Sequence, residues 1–283
     1  MKNFSKYVGR TKTIKDSINI NKAKMFSSMF IKNFTKINYL KKKILPYGWH
    51  WLYFSEYFPI QESDEDGHPK RGDFFPLFRG FKRMFAGSEL EFLDKILIDN
   101  IILKTVKISN IEKKTRNNSN IYFVNLKNTF KLKKKIVLIE NQKIVFLDKK
   151  YKSSGRKIVN ETGYKTIYKK QFLFNNILLF RYSALTYNSH RIHYDLEYAR
   201  KKEGYKNLLV HGPLLSTFSL DLFNFYIKKE IAKFSFKMIK PVFVNEKIFF
   251  KILKCLNDTK NYQLRIVDAN SSELKFIATC ICK

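Results

Sequence analysis

The chemistry-bearing residues of this chain are densest between Arg181 and Pro213, in the run RYSALTYNSHRIHYDLEYARKKEGYKNLLVHGP. Three of the five histidines fall here, His190, His193 and His211, together with Asn188, Arg191 and Asp195. Histidine ordinarily titrates close to neutral pH, so it can take up and return a proton there. Removing water from a 3-hydroxyacyl thioester needs both acts: a proton leaves the carbon beside the carbonyl, and the departing hydroxyl gains one. His193 suits that work; the competing reading is a structural histidine hydrogen-bonded at a helix start. Gly212-Pro213 then reads as the opening of a helix, whose free N–H groups and dipole favour negative charge. The enolate oxygen of a deprotonated thioester is such a charge. An ordinary helix start would look the same.

A metal reading of His190-x-x-His193-x-Asp195 rests on two histidines three apart with a carboxylate nearby. No fourth ligand is in view, so no metal is assigned. The cysteines Cys255, Cys280 and Cys282 lie in strand-like sequence with no histidine beside them, which argues against a cysteine nucleophile. Their odd, sparse count also argues against a disulfide scaffold.

These residues must be positioned by elements on either side. Residues 214–226, LLSTFSLDLFNFY, are apolar nearly all round at helical spacing, so the helix they form must be enclosed. Strand-like stretches precede it at 93–108, 121–130 and 136–148, and clean alternation follows it at 232–239 and 274–282. A polar loop at 62–76 and a tyrosine-bearing, otherwise polar stretch at 149–170 separate the segments. The expected class is α+β, a double hot-dog: two antiparallel sheets, each curled around a central helix, as a fused pair mimicking a symmetric dimer. The expected division is a basic arm at 1–44, a non-catalytic module at 45–150, a linker at 151–170 and a catalytic module at 171–283.

The length of 283 residues and the 45% hydrophobic content suit two moderate modules and exclude wholesale disorder. The formal net charge of +31 implies an anionic partner, without naming it. No nucleic-acid-reading motif accompanies the lysine runs, so nucleic acid is not favoured, although a basic RNA- or ribosome-binding protein is the non-enzymatic alternative. No apolar run reaches the roughly 18 residues of a membrane span. The first 45 residues hold twelve Lys or Arg against one acid, Asp16, the composition of a mitochondrial transit peptide or of a disordered basic arm.

ALTYNSHRIHYD followed by EGYKNLLVHGPLLSTFSLDL resembles the fungal mitochondrial 3-hydroxyacyl-thioester dehydratases of type 2, relatives of the R-specific enoyl-CoA hydratases and the MaoC-like group. LPYGWHWLYF, DGHPKRGDFFP and KRMFAGSELEF resemble the amino-terminal module of that family in the same order, so the similarity covers about residues 45 to 283. The resemblance implies reversible dehydration of (R)-3-hydroxyacyl thioesters in mitochondrial type II fatty acid synthesis, in the matrix, on acyl carrier protein. It implies His193 as acid/base and the Gly212 N–H as oxyanion donor, with no cofactor. The wider group has Gly-Asp where this chain has Tyr187-Asn188, so an amide stands at the position of the catalytic carboxylate. An amide orients a water or hydroxyl but cannot act as a base. His190, Arg191 and His211 are expected to bind substrate. Hydration of a short branched or dicarboxylic acyl-CoA is the alternative. His50 reads as a core or module-interface residue. The Asp66–Arg71 loop reads as a turn that could border the other half's site, and Arg71, Lys82 and Arg83 as a basic face able to meet phosphate or a carrier.

Overall fold

The computed structural model describes residues 4–29, 42–116, 119–148 and 161–283. Among the described residues there are ten antiparallel strands: β1 (Thr11–Ser17), β2 (Phe81–Phe92), β3 (Ile101–Arg116), β4 (Ser119–Leu132), β5 (Lys135–Asp148), β6 (Tyr164–Phe172), β7 (Ile231–Met238), β8 (Ile248–Cys255), β9 (Asn261–Asp268) and β10 (Leu274–Cys282). The helices are α1 (Ile20–Ser27), α2 (Asn176–Thr186), α3 (Leu196–Lys201) and α4 (Gly212–Ile227).

All ten strands join in one sheet, in the order β1-β3-β4-β5-β2-β7-β10-β9-β8-β6. This corrects the expected double hot-dog. The two halves do not form separate curled sheets, because Gly87–Glu91 of β2 pairs with Lys233–Lys237 of β7 and fuses them. The order is linear, with β1 and β6 at opposite ends, so the sheet stays open. Only the C-terminal half contributes a long enclosed helix among the described residues. Gly87 makes the junction possible: its φ is +156° and a Cβ there would lie 2.2 Å from the Phe236 carbonyl oxygen, so a side chain cannot be accommodated.

Helix α4 is buried along Leu214–Phe223, as its all-round apolarity requires. Leu214, Phe218, Leu220 and Phe223 meet Phe234, Ile266 and Phe276 from the strands in the main core. Asp221 is carried into that core, and its Oδ1 accepts a 2.9 Å hydrogen bond from Trp49 Nε1. Burial pushes its carboxyl well above the ordinary carboxylate range, with the Trp49 hydrogen bond opposing the shift.

The basic arm is not an appendage where it is described. Thr11–Ser17 pairs along β3, and Ala23 and Phe26 of α1 are fully buried, the Phe26 ring 4.9 Å from that of Trp49. Residues 1–3 and 30–41 of the arm, and 151–160 of the expected linker, lie outside the described residues; residues 164–170 of that linker belong to strand β6. No helix among the described residues is long and apolar enough to cross a membrane.

Candidate active site

Helix α2 stops at Tyr187, which takes a left-handed conformation (φ 54°), and the Asn188 N–H returns to the Ser183 carbonyl at 2.8 Å. Asn188 Oδ1 then accepts the His190 N–H at 3.0 Å, a side-chain turn that turns the chain into the short 3-10 segment Arg191–His193. Asp195 closes this turn by capping α3, accepting the Tyr198 N–H at 2.9 Å. Tight winding keeps His190 and His193 near one another, with ring centres 5.5 Å apart.

His193 is buried, and its Nδ1 lies 2.8 Å from the Leu209 carbonyl oxygen. A carbonyl only accepts, so Nδ1 carries the proton and Nε2 keeps its lone pair. The His211 ring stacks on His193 at 3.6 Å and 21°, and its own Nε2 is 2.8 Å from Ser183 Oγ. His211 stands at the N-cap position of α4 without a side-chain capping bond, so Gly212 is the first residue of the enclosed helix, where N–H groups have no partner within the helix. A cavity of about 260 Å³ brings together Asn188, His190, His193, His211 and Gly212, against the apolar side chains of Phe85 and Met238.

Arg191 does not join them. Its guanidinium turns outward to Asp195 Oδ2 at 2.8 Å and to the Glu65 carbonyl at 3.2 Å, so it ties the turn together instead of lining the cavity. The same pair occupies the carboxylate that a His190–His193–Asp195 metal site would need.

Two titratable residues of the N-terminal half line the cavity beside Met84, Phe85, Gln142 and Ile144, and neither was named as a site residue from sequence: His68, in the loop read as a turn able to border the other half's site, and Arg83, read as basic face. Asp66 Oδ1 accepts the His68 N–H at 2.9 Å and lies 3.4 Å from His68 Nδ1. The available signal was an acid and a histidine two apart in a tight Asp-Gly-His-Pro loop. The His68 ring lies 4.3 Å from His190, completing a row of four imidazoles that ends at His211. Arg83 lies over the Phe75 ring at 5.2 Å and makes no close ion pair among the described residues, although the charges of Asp66 and Glu56 act on it. A larger cavity of about 800 Å³ meets the first at His68, Arg83, Asn188 and Pro213. Lys82 instead donates to the Glu203 carbonyl.

Burial is the main cause that holds all four imidazoles below their ordinary pKa. His193 is brought to about 4, with the Leu209 carbonyl opposing the shift. His190 and His211 fall well below, pushed further by neighbouring histidines, and His68 is lowered by burial and then by Arg83. Burial would raise Asp66, but the hydrogen bond and charge of His68 outweigh it and keep the carboxylate ionised. At neutral pH the site is therefore a row of neutral imidazoles beside one anion, with an open lone pair on His193.

Residues 48–244 match the family described as hydroxyacyl-thioester dehydratase type 2. The chain belongs to that family, and its general activity is that of a thioester dehydratase or hydratase. It is 34% identical over 204 residues to a mesaconyl-C(4)-CoA hydratase of Chloroflexus aurantiacus, spanning 70% of this chain and 71% of that one. It is 40% identical over 88 residues, 30% of this chain and 28% of the other, to a mitochondrial hydroxyacyl-thioester dehydratase type 2 of Schizosaccharomyces pombe. A MaoC-like dehydratase from Phytophthora capsici shares the fold, with a TM-score of 0.73 and 13% identity over 99% of this chain and 98% of that one.

Proposed function

We propose that His193 and Gly212 carry reversible addition and removal of water across C2–C3 of an acyl-CoA bearing a short branched or dicarboxylic acyl group. The observation that carries the chemistry is the free Nε2 of His193 in one cavity with the N-terminus of the enclosed helix. In dehydration Nε2 takes the C2 proton, the electron pair moves toward the thioester oxygen, and the Gly212 N–H and helix dipole receive that charge. Asn188, its own Oδ1 held by the His190 N–H, presents its amide to the water or hydroxyl. His190 and His211 wall the site and bind substrate.

The substrate class is supported by the Chloroflexus relative, a hydratase matched over most of this chain, and by Arg83, a cation at the junction of the two cavities with no acid paired to it. A carboxylate at the far end of the acyl group would give it one. A second reading, dehydration of 3-hydroxyacyl chains on acyl carrier protein in mitochondrial fatty acid synthesis, is supported by the shorter fungal matches and by the basic charge. Purified full-length protein offered matched dicarboxylic and monocarboxylic enoyl-CoA substrates, and the same acyl groups on carrier protein, separates the two. Preference for dicarboxylic CoA substrates supports the first, and turnover confined to carrier-bound chains overturns it.

A further inference from the structure

The amide at position 188 leaves one half of the water chemistry without a proton carrier. His193 accounts for the proton at C2, but Asn188 cannot exchange a proton with the oxygen that leaves or enters at C3. We propose that His68, oriented by Asp66, is the second proton-transfer group of the site, serving the water or C3 hydroxyl; this rests on the hydratase/dehydratase reading above. The required chemistry arrives from the other half of the chain, more than a hundred residues away.

Its placement is built in. The Arg191 N–H donates to the Asp66 carbonyl at 3.0 Å, Arg191 Nη1 reaches the Glu65 carbonyl at 3.2 Å, and Ser189 Oγ donates to the Gly67 carbonyl. Gly67 has φ +88°, and a Cβ there would lie 1.9 Å from the Ser189 carbonyl oxygen, so only glycine lets the loop seat this closely. The loop is thereby fixed against the turn that carries His190 and His193. His68 lines both cavities, beside Asn188 and Arg83, where a water entering from the larger one would meet the bound thioester.

Its chemistry follows from the partner. His68 Nδ1 is the ring nitrogen nearest Asp66, 3.4 Å from Oδ1 and without a hydrogen bond in this structure. Because an ionised carboxylate only accepts, we assign Nδ1 a proton directed toward Asp66 and leave Nε2 to work. In hydration the water oxygen forms its bond to C3 as its proton passes to Nε2 of His68. The π pair of C2–C3 moves toward the thioester oxygen at the Gly212 N–H. The proton taken up by His68 passes through His190, or a water beside it, to Nε2 of His193, which gives it to C2, so both imidazoles begin and end neutral. Dehydration runs the same steps backwards: neutral His193 takes the C2 proton, and His68, having received it by the same relay, gives it to the departing hydroxyl. Asp66 is a positioning residue that stabilises the charged imidazole.

The groups facing His68 are Asp66 and Arg71 from its own loop, Arg83 from β2, and His190 and His193 from the opposing turn. The ligand atoms of Asp66, His68 and His190 lie within 4.8 Å of one another, but Arg71 Nη2 is 3.6 Å from Asp66 Oδ2 and Arg83 adjoins, which opposes a divalent cation.

The test is the pH profile of hydration by the full-length wild type, His68→Gln, His68→Ala, Asp66→Asn and His193→Ala, with thermal unfolding of each. Both His68 variants should lose at least about a hundredfold in kcat, the usual scale for a general acid/base, and lose the acidic limb of the profile. Asp66→Asn, which does not alter the ring, should move that limb to lower pH, because the carboxylate raises the His68 pKa. Near-normal kcat in folded His68 variants, with His193→Ala inactive, would show that His193 performs both transfers and overturn the proposal alone. An unmoved limb in Asp66→Asn also counts against it. Wild-type activity abolished by EDTA and restored by zinc would replace it with a metal site. A wild type inert toward every thioester would remove the underlying reading and this one with it.

Discussion

Burial holds every histidine of the chain, His50, His68, His190, His193 and His211, below its ordinary pKa. The folded state therefore resists protons that the unfolded chain accepts near pH 6.5. Between that value and about 4, where His193 titrates when folded, the unfolded chain binds more protons. Stability must then fall as pH falls through this window, by up to about 1.4 kcal/mol per pH unit for each such histidine. Denaturant midpoints should drop clearly from pH 7.5 to pH 5, and His211→Gln should shrink the drop; equal midpoints at the two pH values would refute neutral burial. Function at this scale separates two neighbours. His193→Ala should cost at least about a hundredfold in turnover, and Asn188→Ala less. Asn188→Asp should remain active, since a carboxylate can still accept the His190 N–H that now binds Oδ1 at 3.0 Å. Kinetics showing Asn188→Ala as the worse lesion would displace His193 from its role.

Among the elements, α1 and β1 carry the least expected contribution. Phe26 is fully buried against Trp49 and Tyr182, linking the amino-terminal segment to the core around α2 and α4. Phe26→Ala should cost about 3–5 kcal/mol, the usual range for an aromatic truncated in a core, and deletion of residues 1–29 should cost more. A deletion variant with unchanged unfolding midpoint would mean that the segment is dispensable, as a cleaved leader would be. Its sequence hid this because β1 is an edge strand whose half-buried face is Lys12, Ile14 and Asp16, so that only Ile14 gives that face an apolar mark, while Thr11, Thr13, Lys15 and Ser17 are exposed. Strands β4, β5, β7 and β10 and helix α4 were legible because their apolar periodicity is local. The fusion of halves through β2 and β7 was not, since Gly87 and Phe236 meet across about 150 residues of chain and no periodicity reports such a partner. The site divides the same way. Asn188, His190, His193, His211 and Gly212 are close in sequence and could be grouped by eye, whereas Asp66 and His68 reach the cavity only when their loop docks on Ser189 and Arg191, and Arg83 only because β2 joins the C-terminal half.

For the whole molecule, the excess of +31 bears on which carrier delivers the thioester. A strongly basic surface speeds encounter with an acidic partner, and salt weakens that steering. The screening length shrinks from about 10 Å at 0.1 M salt to about 3 Å at 1 M, so the effect should appear between those limits. If acyl carrier protein is the donor, kcat/KM for the carrier-bound substrate should fall clearly with salt while kcat holds nearly constant. The CoA thioester, with fewer charges, should respond less, and an uncharged short-chain thioester least. Charge reversal to probe docking belongs at Lys70, an exposed residue lining the larger cavity, and not at Arg83, which lines both cavities, or at Lys82, which is bonded to the Glu203 carbonyl. Lys70→Glu should lower kcat/KM for carrier-bound substrate at low salt and converge with wild type as salt rises. Identical salt responses for carrier, CoA and uncharged thioesters would mean that the positive charge has no part in delivery. That result would remove the carrier-protein reading and leave the proton chemistry proposed for His193 and His68 untouched, because in that proposal both groups act on the thioester itself and not on what bears it.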